Sequence, residues 1–152
     1  MIPRTATTTS PEETRRLGAS MAAGLEPGDV VLLVGGLGAG KTTFVQGVAE
    51  ALEVTDDVTS PTFTLCQIYR GRLTLLHADL WRLERLAEVI DLALDEGLEE
   101  GGVLLVEWGE GAEPLFGKDC LVVTFEPGAA QSERRVTFSA RGERFAARME
   151  VA

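Results

Sequence analysis

The residues with the clearest chemical meaning form a glycine-rich segment, Gly-Gly-Leu-Gly-Ala-Gly-Lys-Thr, at positions 35–42. This segment satisfies the pattern G-x-x-x-x-G-K-T and lies between a run that predicts a strand and a run that predicts a helix, as the pattern requires. Glycines allow consecutive backbone N–H groups to turn towards phosphate oxygens, and the positive end of the following helix adds to the attraction. The segment predicts a phosphate-binding loop for ATP, or alternatively GTP, together with magnesium. A plain glycine turn before a core helix is the non-functional alternative.

Two side chains of this loop and one distant carboxylate have predicted roles. Lys41 would place a compact positive charge on the outer phosphates, and the hydroxyl of Thr42 would bind Mg²⁺. A second carboxylate of the metal site is expected at the end of a neighbouring apolar strand, and Glu107 directly follows Val-Leu-Leu-Val at 103–106. We predict a magnesium residue there rather than an ordinary strand-end glutamate. For Trp108, packing is favoured over a role as a platform for the base.

Another predicted strand ends in His-Ala-Asp at positions 77–79. Asp79 could orient the attacking water or a water ligand of the metal. For His77, the only histidine, a hydrogen-bonded structural residue and a functional residue are equally good interpretations. The loop Val-Thr-Ser-Pro-Thr at 58–62 lies where P-loop proteins often sense the terminal phosphate, but a capped turn explains it equally well.

The elements that must position these residues alternate between strands and helices. Caps and helical spacing predict helices at 10–25, 41–52 and 83–95 and a short one from 143. Continuous apolar runs predict buried strands at 30–34 and 103–106, and hairpins are expected at 63–69 with 73–77 and at 120–125 with 134–140. This order predicts an α/β protein with a mixed, partly antiparallel central sheet flanked by helices. Together with the glycine-rich segment it predicts a P-loop NTPase-like sandwich, as one ATPase domain over residues 1–152.

The composition limits the partners of the chain. With 24 acidic and 14 basic residues, its net charge of −10 opposes direct binding of tRNA, whose phosphates are neutralised by clustered lysine and arginine. The apolar run at 30–34 is far shorter than the roughly 20 residues of a membrane span, and the N-terminus has no secretory-type apolar stretch. We therefore expect a cytoplasmic protein without membrane contact. Cys66 and Cys120 are expected to be buried, reduced thiols rather than metal ligands.

Four blocks of the sequence resemble the bacterial TsaE (YjeE) family, the ATPase subunit of the tRNA threonylcarbamoyladenosine machinery. The blocks are LGAGKTTF at 37–44, SPTFTL at 60–65, HADLWRL at 77–83 and VEW at 106–108. The resemblance covers nearly the whole chain. It implies a protein that binds and hydrolyses ATP with Mg²⁺ while docked on transferase subunits similar to TsaD and TsaB. Those subunits would transfer a threonylcarbamoyl group to an adenosine beside the anticodon, so that tRNA is contacted only through the complex.

The resemblance also implies roles for individual residues. Thr42 and Glu107 match the magnesium residues of the family, and Asp79 matches an acid that is important for turnover. Arg134 falls near an arginine that approaches the nucleotide, with Arg135 as the alternative. The implied catalytic set is Lys41, Asp79 and Glu107, and the implied phosphate cradle is Gly38, Ala39, Gly40, Lys41, Thr42 and Thr43.

Two departures from the family pattern stand out: Gly36 replaces a usual acid and Trp81 replaces a usual tyrosine. Neither is expected to abolish binding, since the cradle is built from backbone N–H groups. The role that the acid has in the family is open here.

Two other classes of P-loop protein are less favoured. A small-molecule kinase would need an arginine-rich lid and an acceptor pocket, whereas the arginines here are scattered along a short chain; it remains the alternative function. A guanine-specific switch would use an Asn-Lys-x-Asp motif, and the chain has no asparagine. Adenine is therefore the favoured base.

Overall fold

A computed structural model describes residues 1–36, 38–59, 66–79, 94–108 and 119–151. Within these ranges the elements are β1 (Thr5–Thr8), α1 (Pro11–Ala22), β2 (Val30–Val34), α2 (Lys41–Ala51), β3 (Cys66–Tyr69), β4 (Leu75–Asp79), α3 (Leu94–Glu99), β5 (Val103–Glu107), β6 (Cys120–Pro127), β7 (Arg134–Arg141) and a 3₁₀ turn (Ala146–Arg148). No helix among these residues is both long enough and apolar enough to span a bilayer.

The strands form one seven-stranded sheet in the order β1-β7-β6-β2-β5-β4-β3. The four central strands β6, β2, β5 and β4 are parallel, while β3, β7 and β1 pair antiparallel at the two sides. This topology confirms the predicted α/β class and mixed sheet. Because parallel strands end at the same edge of a sheet, the loop after β2 and the last residues of β4 and β5 come together there.

Helices α1 and α2 pack against each other with their backbones in contact. A Cβ added to Gly47 would lie 1.8 Å from the carbonyl oxygen of Arg15, and one added to Gly18 would lie 2.2 Å from that of Phe44. Below this contact the buried ring of Phe44 meets Phe125 edge to face, with ring centroids 5.4 Å apart. The close approach fixes α2, and with it the end of the glycine-rich loop, above the sheet.

A buried charge cluster lies at the opposite end of β2 from the glycine-rich loop. The carboxylate of Asp29, with no exposed surface, accepts hydrogen bonds from Arg144 at 2.6 Å and from Arg148 at 2.6 and 3.0 Å. It also accepts the backbone N–H of Glu26 at 2.7 Å. Burial alone would raise the pKa of this carboxyl, but the hydrogen bonds from Arg148, the Glu26 N–H and Arg144 hold the pKa below its ordinary value of 3.8. The cluster attaches the C-terminal segment to the start of the central strand.

Both cysteines are free thiols, as expected. Cys120 is buried, whereas Cys66 is half-buried. Burial raises the pKa of both thiols, and with the added charge of Asp119 it raises the pKa of Cys120 to about 11. Neither thiol is therefore a good nucleophile near neutral pH.

Several predicted boundaries were wrong. The threonines at 5–8 were not assigned to an element, but they form β1, which pairs with β7. Helix α3 extends to Glu99, four residues beyond the predicted helix end at 95. Within α3, Gly97 lies close to the side chain of Leu76, which an added Cβ would meet at 2.5 Å. The helix expected from residue 143 is only the 3₁₀ turn, and α1 ends at Ala22 rather than residue 25. The expected helix residues 83–93 and strand residues 63–65 lie outside the described residues.

Candidate functional site

The glycine-rich loop connects β2 directly to α2, as the sequence predicts. Gly38 and Gly40 adopt φ values of 74° and 102°, in the left-handed region where a Cβ is disfavoured. Gly40 caps α2, whose first intrahelical bond runs from the N–H of Phe44 to the Gly40 carbonyl at 2.9 Å. The preceding amides, including those of Thr42 and Thr43, are the ones that a helix leaves without an intrahelical partner. Such amides at a helix N-terminus are suited to phosphate oxygens.

The ammonium group of Lys41 is buried at the mouth of this loop. Its Nζ donates to the carbonyl oxygens of Gly35 at 2.5 Å and Gly36 at 3.2 Å, and it lies 3.4 Å from the centroid of the Trp108 ring. Carbonyl oxygens and an aromatic face both stabilise a cation. The lysine is therefore held in the loop by groups that phosphate oxygens could replace.

Trp108 takes part in the site more directly than the sequence suggests. Its φ of 59° lies in the left-handed region, which is rare for a large side chain and which costs roughly 1–3 kcal/mol. Strained residues of this kind persist where the surrounding structure holds them, often at functional sites. Its position directly after Glu107 was the only sequence signal. The structure adds to the predicted packing role a contact of the ring with the Lys41 ammonium group.

Glu107 connects β5 to α2 across the end of the sheet. The hydroxyl of Thr42 lies 2.9 Å from Oε1 and 3.0 Å from Oε2 of Glu107, and Nε2 of His77 lies 2.6 Å from Oε2. Glu107 and His77 are both buried. Their side chains share one face because β4 and β5 are parallel, with His77 opposite Leu105, two residues before Glu107. The structure thus brings together the two predicted magnesium residues and adds the histidine, whose role the sequence left open.

Asp79 reaches the same edge of the sheet. It is the direct register partner of Glu107, so the two Cα atoms are about 4.8 Å apart, and its side chain is buried. Two acidic residues therefore lie next to each other at the edge of the sheet where the glycine-rich loop begins. The role of Asp79 in turnover stays a prediction.

Arg134 lies across a cleft of about 200 Å³ beside the loop. One guanidinium nitrogen donates to the Gly38 carbonyl at 3.2 Å, and the other donates to the carbonyls of Gln131 and Glu133 at 2.8 and 2.9 Å. Arg135, the next residue of β7, is exposed and points to the other face of the strand. Of the two candidate arginines, Arg134 is the one at the loop. The cleft is also lined by Ser10, Thr14, Gly40, Thr43 and Ser132.

The structure describes only part of the threonine-rich loop and only one of the two positions at which the sequence departs from the family pattern. Gly36 is exposed, and a Cβ added there would meet no atom of the described residues within 4 Å, so these residues leave room for the acid that is usual in the resembled family. Residues 60–65 and Trp81 lie outside the described residues, and so does Leu37 within the phosphate loop.

Known proteins of one family resemble this chain in sequence. The model of the family "Threonylcarbamoyl adenosine biosynthesis protein TsaE" matches residues 8–136. The tRNA threonylcarbamoyladenosine biosynthesis protein TsaE of Bacillus subtilis is 45% identical over 139 residues, which cover 91% of this chain and 86% of the relative. The protein of the same name from Nostoc is 47% identical over 129 residues, covering 80% of this chain and 79% of the relative.

A solved structure supports the same assignment. The crystal structure of Bacillus subtilis YdiB superposes with a TM-score of 0.80 at 39% sequence identity, covering 93% of this chain and 87% of that chain. The family match over residues 8–136 and the relatives at these levels of identity identify the chain as a member of the TsaE family.

Proposed function

We propose that the chain binds and hydrolyses ATP with Mg²⁺ as an accessory subunit in the biosynthesis of tRNA threonylcarbamoyladenosine. The observation that carries the nucleotide chemistry is the contact of the Thr42 hydroxyl with both carboxylate oxygens of Glu107, at 2.9 and 3.0 Å, directly after a glycine-rich loop. The assignment to this biosynthetic pathway rests on the names of the relatives.

The residues at this contact fit a magnesium ion. Mg²⁺ prefers oxygen ligands and is usually held in nucleotide sites by one or two protein oxygens together with phosphates. The Thr42 hydroxyl and the Glu107 carboxylate supply such oxygens side by side. When bound, Mg²⁺ neutralises charge on the phosphates as the terminal bond breaks.

The phosphates and the nucleoside have separate sites in this proposal. The loop amides and Lys41 would bind the phosphates, with Lys41 exchanging its contacts to loop carbonyls and Trp108 for phosphate oxygens. The cleft beside Arg134 would receive the nucleoside, because it opens next to Gly38 and Thr43 of the loop. Asp79 would orient the attacking water from its place beside Glu107.

The transfer chemistry would belong to partner subunits similar to TsaD and TsaB. The net charge of −10 supports contact with tRNA only through such a complex, since an acidic chain repels the phosphate backbone.

The test is ATP hydrolysis by the purified chain, alone and mixed with its presumed transferase partners. Wild type should hydrolyse ATP faster on mixing, while Lys41→Ala and Glu107→Ala should each lose at least about a hundredfold in rate, as expected when a group that stabilises the transition state is removed. Glu126→Ala, which removes an exposed carboxylate of β6, is the matched control and should behave as wild type. If the partners change nothing and a small acceptor instead drives ADP release, the protein is a kinase and the proposal fails.

A further inference from the structure

His77 contacts the proposed metal carboxylate from inside the protein. Its ring has no exposed surface, and Nε2 lies 2.6 Å from Oε2 of Glu107. An ionised carboxylate can only accept hydrogen bonds, so the ring tautomer that carries its proton on Nε2 makes this bond. The histidine donates to Glu107 from the side of β4, while α2 carries Thr42 on the other side.

The hydrogen bond from Thr42 alone leaves the orientation of Glu107 undefined. Its hydroxyl is almost equally distant from Oε1 and Oε2, at 2.9 and 3.0 Å, and therefore does not distinguish the two oxygens. His77 contacts Oε2 and so removes this symmetry. We propose, on the basis of the function proposed above, that His77 is a positioning residue. It holds Oε2 of Glu107 and leaves Oε1 directed towards the proposed magnesium ion.

The second ring nitrogen supports a role directed at Glu107. Nδ1 of His77 is buried and has no hydrogen-bond partner within the described part of the chain. A histidine kept only to satisfy the core would be expected to pair both nitrogens, because an unpaired buried polar atom is destabilising. The ring instead makes its one described hydrogen bond to the carboxylate at the phosphate loop. Groups that hydrogen-bond metal ligands orient them and typically change metal affinity by about 10- to 100-fold when removed.

Three substitutions separate this role from packing. In His77→Gln the side-chain amide nitrogen can reach the position of Nε2, whereas in His77→Asn it reaches only the position of Nδ1. His77→Leu fills much of the ring volume without any donor. The glutamine and asparagine variants bury the same chemical group, so their comparison isolates the bond to Glu107 from the cost of burying an amide.

The measurement is the affinity of Mn²⁺ for the protein–ADP complex, obtained from the EPR signal of free Mn²⁺ and corrected for Mn²⁺ held by ADP alone. ADP affinity in EDTA and the thermal midpoint of unfolding are recorded for each variant. We expect His77→Gln to stay within about threefold of wild type, and His77→Asn and His77→Leu to lose about tenfold or more in Mn²⁺ affinity. ADP affinity in EDTA should remain unchanged.

Equal Mn²⁺ affinity in wild type, His77→Asn and His77→Leu would overturn the positioning role, and a lowered midpoint alone would show a purely structural histidine. Equal losses in His77→Gln and His77→Asn would also overturn it. If wild type itself binds neither ADP nor Mn²⁺, the proposed nucleotide function fails, and this inference fails with it. The two failures are thus distinguished by the behaviour of wild type.

Discussion

Replacing Asp29 by asparagine tests the buried charge cluster at the start of β2. The substitution preserves the shape of the side chain but turns one acceptor oxygen into an N–H donor that faces a guanidinium group. Arg144 and Arg148 then lose the negative charge that both contact at 2.6 Å. The side chains of these arginines are 33% and 16% exposed, so water compensates them only in part.

We expect a loss of about 3 kcal/mol in the free energy of unfolding, at the lower end of the cost of breaking a buried ion pair, because the arginines are partly exposed. For a domain of this size such a loss lowers the thermal midpoint by about 6–12 °C. Differential scanning calorimetry measures it directly. Glu26→Gln is the matched control, since Glu26 is the exposed second acid near Arg148, at 3.8 Å, and should change the midpoint little.

The effect should depend on pH in a defined direction. The folded-state pKa of Asp29 lies below its ordinary value of 3.8, so its ionisation stabilises the fold fully above about pH 4 and ceases to do so as the pH falls through the folded-state pKa. The stability difference between wild type and Asp29→Asn should therefore shrink below about pH 4. Equal midpoints for Asp29→Asn and Glu26→Gln at neutral pH, or a difference that grows in acid, would refute the reasoning.

Three further predictions concern single positions. Arg134→Ala should weaken ATP binding about tenfold in isothermal titration, which is the loss expected for one charge-assisted hydrogen bond. Arg135→Ala should not weaken it. A loss of ATP affinity in Arg135→Ala but not in Arg134→Ala would exclude the placement of the nucleoside in the cleft. Gly47→Ala should destabilise the fold by about 2 kcal/mol in urea unfolding through overpacking between α1 and α2. Gly36→Ala is its control and should stay within about 0.5 kcal/mol, so equal effects of the two would contradict the backbone contact. Cys120, with its pKa raised to about 11, should react with a disulfide reagent at about pH 8 only after unfolding; rapid labelling of the native protein would show that the thiol is accessible.

The parts of the molecule that were predictable from the sequence are those whose signal is local. The run of five apolar residues at 30–34 predicts β2 with the observed bounds. A strand covered on both faces is apolar at every position, so the ends of the apolar run mark the ends of the strand. The glycine-rich loop is a continuous pattern, and Glu107 follows a second apolar run, so both could be assigned to the same edge of the sheet. Their contact through Thr42 agrees with that assignment.

The parts that were not predictable depend on residues distant in the chain. Asp29 meets Arg148, 119 positions away, and neither residue has a neighbour in sequence that indicates the other. The threonines of β1 form a strand only because the edge of β7 is available for pairing. The contact of His77 with Glu107 depends on the register between β4 and β5, which neither strand sequence specifies.

The position of Asp29 allows stability and chemistry to be separated. Asp29 and Gly35 flank the five residues of β2, so the charge cluster and the glycine-rich loop are about 20 Å apart along the strand. Substitutions this far apart usually act independently. Asp29→Asn should therefore bind ATP within about twofold of wild type at temperatures where it remains folded, although its midpoint is lowered. Arg134→Ala should instead lower the ATP affinity and leave the thermal midpoint unchanged. A loss of ATP affinity in Asp29→Asn well below its midpoint would mean that β2 transmits a change from one end to the other, and the loop could then no longer be treated as a site held only by its local contacts.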